Sequence, residues 1–167
     1  KTIMISVQRR IGKMKRKLKK VMSKNIYKKT IKPYSNMNIA LIGSIKYDNV
    51  RSIRDFIFKI KTQFGSNCNI ISRGYKDGCE KYVKKYSIEF GLRYTEYNAA
   101  NTPKNLYSGM TDDYYNKPFH PTQRLHQYDC IVRNSDKIFY FGGIKVSEQK
   151  HFEKLLKRFG KKVVYFN

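Results

Sequence analysis

The sequence has few cysteines, no tryptophan and no long apolar run, and each of these absences narrows what the protein can be. Its three cysteines, Cys68, Cys79 and Cys130, lie far apart and form no Cys-x-x-Cys pair. An odd number of isolated cysteines argues against a disulfide framework and indicates reduced thiols, as expected in a cytoplasm. No apolar stretch approaches the roughly 18 residues needed to cross a bilayer, so we expect no membrane partner.

Acidic residues are also scarce, because 36 Lys and Arg stand against 12 Asp and Glu, a formal charge of +24. Residues 1–37 contain 13 Lys and Arg and no Asp or Glu, whereas the remaining 130 contain 23 basic and 12 acidic residues. This excess favours a polyanionic partner such as nucleic acid. Lysine outnumbers arginine 26 to 10, and Asn, Ile and Tyr are frequent. That bias indicates an AT-rich genome, of a low-GC bacterium or its phage, and hence a bacterial (host) cytoplasm.

Residues 1–36 are interpreted as a basic N-terminal arm and linker. Residues 7–24 predict a helix with one narrow apolar stripe, made of Ile11, Met14, Leu18, Val21 and Met22. The basic residues Arg9, Arg10 and Lys13 interrupt the apolar residues that a secretion signal would need. Three roles stay open for this helix: a nucleic-acid arm, a membrane-surface helix, or an element that docks on a partner. Because the stripe holds no aromatic anchor, contact with nucleic acid or a larger assembly is favoured, through Arg9, Arg10, Lys13, Arg16, Lys17 and Lys20.

Residues 37–167 are interpreted as one α/β domain with a Rossmann-like parallel sheet of about five strands and helices on both faces. Short apolar runs that end in glycine or polar turns predict strands near 38–42, 69–72, 93–97, 137–141 and 162–166. Amphipathic segments predict four helices: at 50–63, from the end of the turn at 73–78 to about residue 90, at 122–134 and at 147–159. In such sheets the loops that leave the strand ends converge where the strand order reverses, and ligands bind there.

A long polar stretch at residues 98–121 is a candidate lid or binding loop. Its tyrosines (Tyr107, Tyr114 and Tyr115), with Lys104 and Lys117, are suited to stacking bases beside phosphates, or equally to packing the loop onto the domain. His120 and His126 flank the following helix, near several Asp residues, but their spacing matches no zinc pattern. We therefore expect no metal, and no cofactor.

Two loops have the composition of an anion site. Gly43-Ser44 follows the first strand, where a glycine lets the backbone approach a phosphate. Residues 72–80 follow the second strand and combine Arg73, Gly74 and Gly78 with the start of a helix. There is no G-x-G-x-x-G and no Walker A sequence, so neither NAD nor P-loop chemistry is supported.

The order of these motifs resembles the SLOG superfamily over residues 38–166. This superfamily includes the small YspA/YpsA-like proteins, the LOG phosphoribohydrolases and the DNA-processing protein DprA. The resemblance rests on Ile-Ala-Leu-Ile-Gly-Ser at 39–44, on residues 72–80 and on 129–136 before an apolar strand. It implies a nucleotide-type ligand, and the residues that match the family are Gly43, Ser44, Gly74, Gly78, Asp129, Gly142 and Gly143. By the switch-point rule, we expect these residues and Arg73 to line one cleft.

The sequence departs from the SLOG pattern at four places. Ile45 and Tyr128 stand where the family has Arg, and Glu80 stands where it has Asp. After Gly142-Gly143 the chain lacks the Thr and Glu of the LOG signature, which argues against phosphoribohydrolase activity.

Three functions remain open. The first is a binding protein for a nucleotide or nucleotide derivative, tethered by its arm to nucleic acid or an assembly. The second is an enzyme acting at an N-glycosidic bond, with Glu80 or Asp129 as candidate catalytic carboxylates and Asp136 near them. The third is a DprA-like single-stranded DNA binder. The sequence leaves open whether the protein is a homo-oligomer.

Overall fold

The computed structural model describes residues 37–166, which contain a five-stranded, all-parallel β-sheet with two helices on each face. The strands are β1 (Met37–Gly43), β2 (Cys68–Ser72), β3 (Arg93–Glu96), β4 (Lys137–Phe141) and β5 (Val163–Phe166). The helices are α1 (Val50–Phe64), α2 (Cys79–Glu89), α3 (Gln123–Asn134) and α4 (Val146–Arg158), with a short 3-10 helix at Asp112–Tyr114. The α/β Rossmann-like architecture predicted from the sequence is confirmed. The predicted N-terminal helix and linker lie outside the described residues.

Strand β1 is the centre of the sheet and explains why its sequence is apolar without alternation. Ile39 and Leu41 face the layer formed by α1 and α2, while Ala40 and Ile42 face the layer formed by α3 and α4. All four side chains are buried, since both faces of a parallel sheet are covered by helices. Each layer therefore has its own apolar core, and β1 joins the two.

The strand order β3-β2-β1-β4-β5 places a change of direction at β1 and β4. The chain first moves outward from β1 through β2 to β3, and then returns to add β4 on the other side of β1. Because parallel crossovers are right-handed, this reversal puts α1 and α2 on one face and α3 and α4 on the other. The loops after β1 and β4 consequently turn to opposite faces and leave a crevice between them.

Helix α1 begins and ends where the sequence predicts. The side chain of Asn49 accepts a hydrogen bond from the Ser52 N–H at 3.0 Å and caps the N-terminus. Gly65 ends the helix with a positive φ of 62°. The side chains of Ile53, Ile57 and Ile60 are buried at helical spacing, so one face of this helix packs against the sheet.

The long connection from β3 to α3 is attached to the edge of the sheet. Glu96 donates its N–H to the Tyr107 carbonyl at 2.8 Å and accepts from the Gly109 N–H at 2.9 Å. Tyr115 is buried and its hydroxyl donates to Asn98 Oδ1 at 2.7 Å. The ring of Tyr107 packs edge-on against Tyr94. The structure thus uses Tyr107 and Tyr115 for packing the connection, which is one of the two roles expected for these tyrosines.

Within residues 37–166, no helix has the length and apolar character required to traverse a bilayer.

Candidate functional site

A cavity of about 650 Å³ lies at the carboxyl ends of β1, β2 and β4, in the crevice created by the reversal of strand order. This volume lies within the range that small-molecule ligands occupy in proteins. We call it the strand-end cavity. Its lining comes from residues 43–46 after β1, Arg73 and Tyr75 after β2, Tyr140 of β4, residues 143–145 after β4, Arg124 of α3 and Glu148 of α4.

Arg73 links three of the elements that surround the strand-end cavity. Its side chain is almost fully buried, and its three nitrogens donate to three different elements. Nε donates to Glu80 Oε1 at 2.5 Å, Nη1 to the Tyr128 hydroxyl at 2.7 Å, and Nη2 to the Gly43 carbonyl at 2.5 Å. One side chain therefore ties the end of β1 to α2 and α3. Because each nitrogen already has a protein acceptor, Arg73 supports the site more than it offers free donors to a ligand.

The groups around Arg73 keep its guanidinium positively charged. Burial acts to lower the pKa of this guanidinium, but the Glu80 carboxylate and the neighbouring tyrosines outweigh burial and raise the pKa above its ordinary value. The guanidinium also lies over the ring of Tyr75, 4.6 Å from its centroid. Glu80 Oε2 accepts the Tyr75 N–H at 3.3 Å, so both of its oxygens are occupied inside the protein. Glu80 does not line the cavity and forms part of its support.

Four of the eight residues predicted to line one cleft do line the strand-end cavity: Gly43, Ser44, Arg73 and Gly143. Gly142 and Gly78 lie just behind its walls. A Cβ on Gly142 would lie 3.2 Å from Ser44 Cβ, and one on Gly78 would meet the Ile45 backbone at 2.3–2.6 Å. Both have positive φ, so they are required by the backbone of the two loops.

Gly74 and Asp129 do not line the strand-end cavity. Gly74 also has a positive φ, and a Cβ there would meet the Glu96 side chain at 2.8–3.0 Å. Asp129 pairs with Arg133 at 3.0 Å and lines a different cavity, between α3 and α4. The structure therefore does not bring Asp129, a candidate catalytic residue, to this site.

Asp136 is at the opposite edge of the sheet, contrary to the expectation that it lies near the site. It precedes β4, and its Oδ2 accepts the N–H of Asn38, near the start of β1, at 2.8 Å. Residues before a parallel strand lie at the amino edge, whereas the strand-end cavity is at the carboxyl edge. Asp136 consequently links the starts of two strands.

Glu148 is the carboxylate that lines the strand-end cavity, and sequence reasoning missed it. It lies in the first turn of α4, and its Oε2 accepts the Tyr128 hydroxyl at 3.0 Å. Arg124 lies 3.8 Å from its other oxygen, and Arg73 lies 3.9 Å from Oε2. The signal available in the sequence was its position, five residues after Gly143 at the start of a helix that follows a strand.

The mouth of the strand-end cavity is cationic and holds unused donors. Lys46, Arg124 and Lys145 are exposed at its walls. Among the described residues, the backbone N–H groups of Ile45 and Ile144 donate to no other group. The Ser44 hydroxyl accepts from the Lys46 N–H at 3.2 Å, which leaves its own proton free to donate. This combination of cations and N–H groups suits an anion such as phosphate.

The upper walls are apolar and aromatic. Ile45, Ile144, Tyr75 and Tyr140 line the strand-end cavity beside the cations. Burial is the main cause that raises the pKa of Tyr75 and of Tyr140, so both phenols stay protonated near neutral pH. A planar ring next to an anionic group is the ligand shape that such a lining accommodates.

Two further predictions concern the basic arm and the histidines. The proposed nucleic-acid contacts Arg9, Arg10, Lys13, Arg16, Lys17 and Lys20 lie outside the described residues. In the part of the chain that the structure describes, His120 bonds to Thr122, and no group of three His, Cys, Asp or Glu side chains is arranged to hold a metal ion.

Comparison with solved structures identifies two proteins of similar fold. The DNA processing protein A of Helicobacter pylori, whose structure was described for its single-stranded DNA binding mode, matches with a TM-score of 0.56 at 13% identity, covering 81% of this chain and 68% of that one. A structural-genomics target named TM1055 matches with a TM-score of 0.52 at 16% identity, covering 76% and 72%. These likenesses show that the chain has a Rossmann-like fold. No protein-family model and no curated protein matches the chain.

Proposed function

We propose that this protein binds a nucleotide or nucleotide derivative in the strand-end cavity, with a phosphate held between the loops after β1 and β4. The observation that carries the proposal is Gly143. A Cβ on Gly143 would meet nothing within 4 Å, and its φ is not in the left-handed region, so neither packing nor backbone conformation in the described residues requires a glycine there. A glycine on the wall of a cationic cavity is explained by the close approach of a ligand.

The neighbouring groups support the same ligand. Lys46 in the loop after β1 and Lys145 in the loop after β4 both line the cavity, and the N–H groups of Ile45 and Ile144, which have no acceptor among the described residues, supply directional donors. Ile45, Ile144 and Tyr75 offer an apolar surface for a base. Glu148 can accept hydrogen bonds from sugar hydroxyls, because within residues 37–166 the polar partner of its Oε1 is Arg124 alone, at 3.8 Å.

The test is a thermal-shift series with nucleoside, mononucleotides, dinucleotides, signalling nucleotides and inorganic phosphate. A ligand present at 100 times its Kd stabilises the folded state by about 2.7 kcal/mol, which gives a clear rise in thermal midpoint. The expected result is a rise with at least one phosphorylated nucleoside and a smaller one with the matching nucleoside. Equal midpoints with all of them would contradict the proposal.

A second candidate, a hydrolase or transferase acting at an N-glycosidic bond, is favoured by one observation only. Glu148 places a carboxylate in the cavity, where Glu80 and Asp129 do not. Incubation of the best-binding nucleotide with the protein and with Glu148→Gln, followed by chromatography of the free base, distinguishes the two functions. Base released by the wild type and not by Glu148→Gln supports turnover, and no release by either leaves binding as the function.

The basic arm is proposed to tether the domain to nucleic acid or to a larger assembly in the bacterial or host cytoplasm. Residues 1–36 contain 13 of the 36 basic residues and none of the 12 acidic ones. Such a segment neutralises phosphates without regard to sequence. The similar fold of a DNA processing protein is compatible with a nucleic-acid partner.

A further inference from the structure

A second cavity shares two lining residues, Arg124 and Glu148, with the strand-end cavity. It has a volume of about 350 Å³ and is also lined by Phe119, Pro121, Leu125 and Ser147. Because both cavities share Arg124 and Glu148, they adjoin at the N-terminal ends of α3 and α4.

A third cavity of about 490 Å³ follows between α3 and α4. Leu125 lines it as well as the second cavity, so these two also adjoin. Its α4 wall carries His151, Lys154 and Arg158, one helical turn apart on a single face. We call the three adjoining cavities the track.

The far end of the track carries positive charge that no group within residues 37–166 neutralises. Lys154 and Arg158 are exposed, and neither forms an ion pair between residues 37 and 166. The one acidic residue there, Asp129, already pairs with Arg133 at 3.0 Å. His151 has a buried Nε2 without a hydrogen-bond partner in the described part of the chain. This end of the track therefore presents two cations and an imidazole nitrogen to an anionic ligand.

We propose that the track binds a single-stranded polynucleotide, with one nucleotide in the strand-end cavity and the following backbone phosphates on Arg124, Lys154 and Arg158. This deepens the proposed function and rests on it. A mononucleotide fills the first cavity and gains nothing from Lys154 or Arg158, whereas a strand reaches them. Phe119, 58% exposed beside Arg124, offers a stacking surface, which only unpaired bases can use.

The first experiment compares two double variants of the full chain that remove the same charge from the same helix. The track pair, Lys154→Gln with Arg158→Gln, removes the two α4 cations that line the track. The control pair, Lys150→Gln with Lys157→Gln, removes two exposed α4 cations that do not line it. Binding of a fluorescent oligothymidylate is measured by anisotropy at several salt concentrations. The track pair is expected to weaken binding about tenfold and to lower the log–log salt slope by about 1.4, because each single-strand phosphate contact contributes about 0.7. Equal effects of the two pairs would overturn the proposal, since only diffuse charge would then be acting.

The second experiment tests stacking with two phenylalanines of equal exposure. Phe119 lines the track at 58% exposure, and Phe58 on α1 is 57% exposed outside it. Phe119→Ala is expected to weaken oligothymidylate binding about tenfold, as loss of one stacked base does. Phe58→Ala is expected to leave it unchanged. If both bind as the wild type does, no base stacks on Phe119 and that part of the track is wrong.

A third measurement separates this proposal from the function on which it rests. Thermal shifts with mononucleotides are expected to be the same for the track pair and the wild type, because the strand-end cavity is intact in both. Saturating mononucleotide is expected to compete with the oligonucleotide. Mononucleotide binding without competition overturns the track and leaves the proposed function. Absence of any mononucleotide shift overturns the proposed function, whatever the two α4 pairs do.

Discussion

The guanidinium of Arg73 and the carboxylate of Glu80 form a fully buried ion pair, with Nε 2.5 Å from Oε1 and both side chains less than 5% exposed. A charge taken from water without a partner costs several kcal/mol, so neither member is tolerated alone. The pair joins the loop after β2 to the first turn of α2, directly under the strand-end cavity.

Removal of one member of this pair should be far more damaging than removal of an exposed pair. Glu80→Ala is expected to lower the free energy of unfolding by about 3–5 kcal/mol, because Arg73 keeps its charge without a counterion. Arg51→Ala, which breaks the exposed pair with Asp55 at 3.9 Å, is expected to cost less than about 0.5 kcal/mol. Urea unfolding followed by circular dichroism measures both. Similar losses would show that the buried pair is dispensable.

The Tyr128 hydroxyl should be needed by both of its charged neighbours. It accepts from Arg73 and donates to Glu148, so Tyr128→Phe leaves a buried donor and a buried acceptor unsatisfied. We expect a loss of about 1–3 kcal/mol in unfolding free energy. Tyr140→Phe is the matched control, since its hydroxyl makes only a 3.5 Å contact with Tyr128 among the described hydrogen bonds. The expectation fails if the two variants are equally stable.

Adjacent glycines should respond oppositely to alanine. Gly142 has a φ of 76°, where a Cβ is strained by about 1–2 kcal/mol, so Gly142→Ala is expected to destabilise the fold. Gly143→Ala should leave stability unchanged or slightly raised, because its Cβ meets nothing. It should nevertheless weaken nucleotide binding by intruding on the phosphate position. Thermal midpoints with and without nucleotide separate these effects, and normal binding by Gly143→Ala would argue against the phosphate placement.

Stability should fall in alkaline solution. Burial, with a smaller contribution from Asp129, raises the pKa of the Cys130 thiol from 9.0 to about 11. A thiol whose pKa is higher in the folded state stabilises the fold below the unfolded pKa, and that contribution is lost as pH rises. The loss from Cys130 is expected between pH 9 and 11, and Cys130→Ser should have a shallower decline there. Urea titrations from pH 7 to 11 test this, and identical profiles would rule out the thiol as a cause.

Deletion of residues 1–36 should lower the affinity for nucleic acid without unfolding the domain. All five strands and all four helices described above lie within residues 37–166, so the shortened chain is expected to keep its thermal midpoint. Affinity for a short oligonucleotide should fall, and with it the salt slope, by about 0.7 for each lost contact to a single strand. An unchanged affinity would place the nucleic-acid contact entirely in the domain. A collapsed midpoint would show that the apolar stripe of the arm belongs to the core.

The sequence predicts this fold well because its central strand is buried on both faces. The run at residues 37–43 is apolar without alternation, as a central parallel strand requires. The switch-point rule then places Gly43, Ser44, Arg73 and Gly143 at one edge, and these four residues line the strand-end cavity. These inferences depend only on local pattern and strand direction.

The remaining parts of the site depend on how helices face each other, which the sequence alone does not show. Tyr128 points under the cavity to Arg73, and a helix turns about 100° per residue, so Asp129 necessarily points elsewhere. Arg124 and Glu148 reach the cavity only because α3 and α4 pack side by side. The role of Arg73 was also incompletely predicted, because the three acceptors around it come from distant parts of the chain.

The pairing of β1 with β4 has a consequence for the order of events in folding. Residues 39–43 pair with residues 137–141, and the hydrogen bond between Asn38 and Asp136 spans 98 positions in the sequence. Loops of this length close slowly compared with the local β1-α1-β2 unit. The β1–β2 half can pair early, but the cavity has only one wall until β4 arrives. On the ribosome, ligand binding therefore has to wait until about residue 148 has emerged, and a bound nucleotide would report that β4 has joined the sheet.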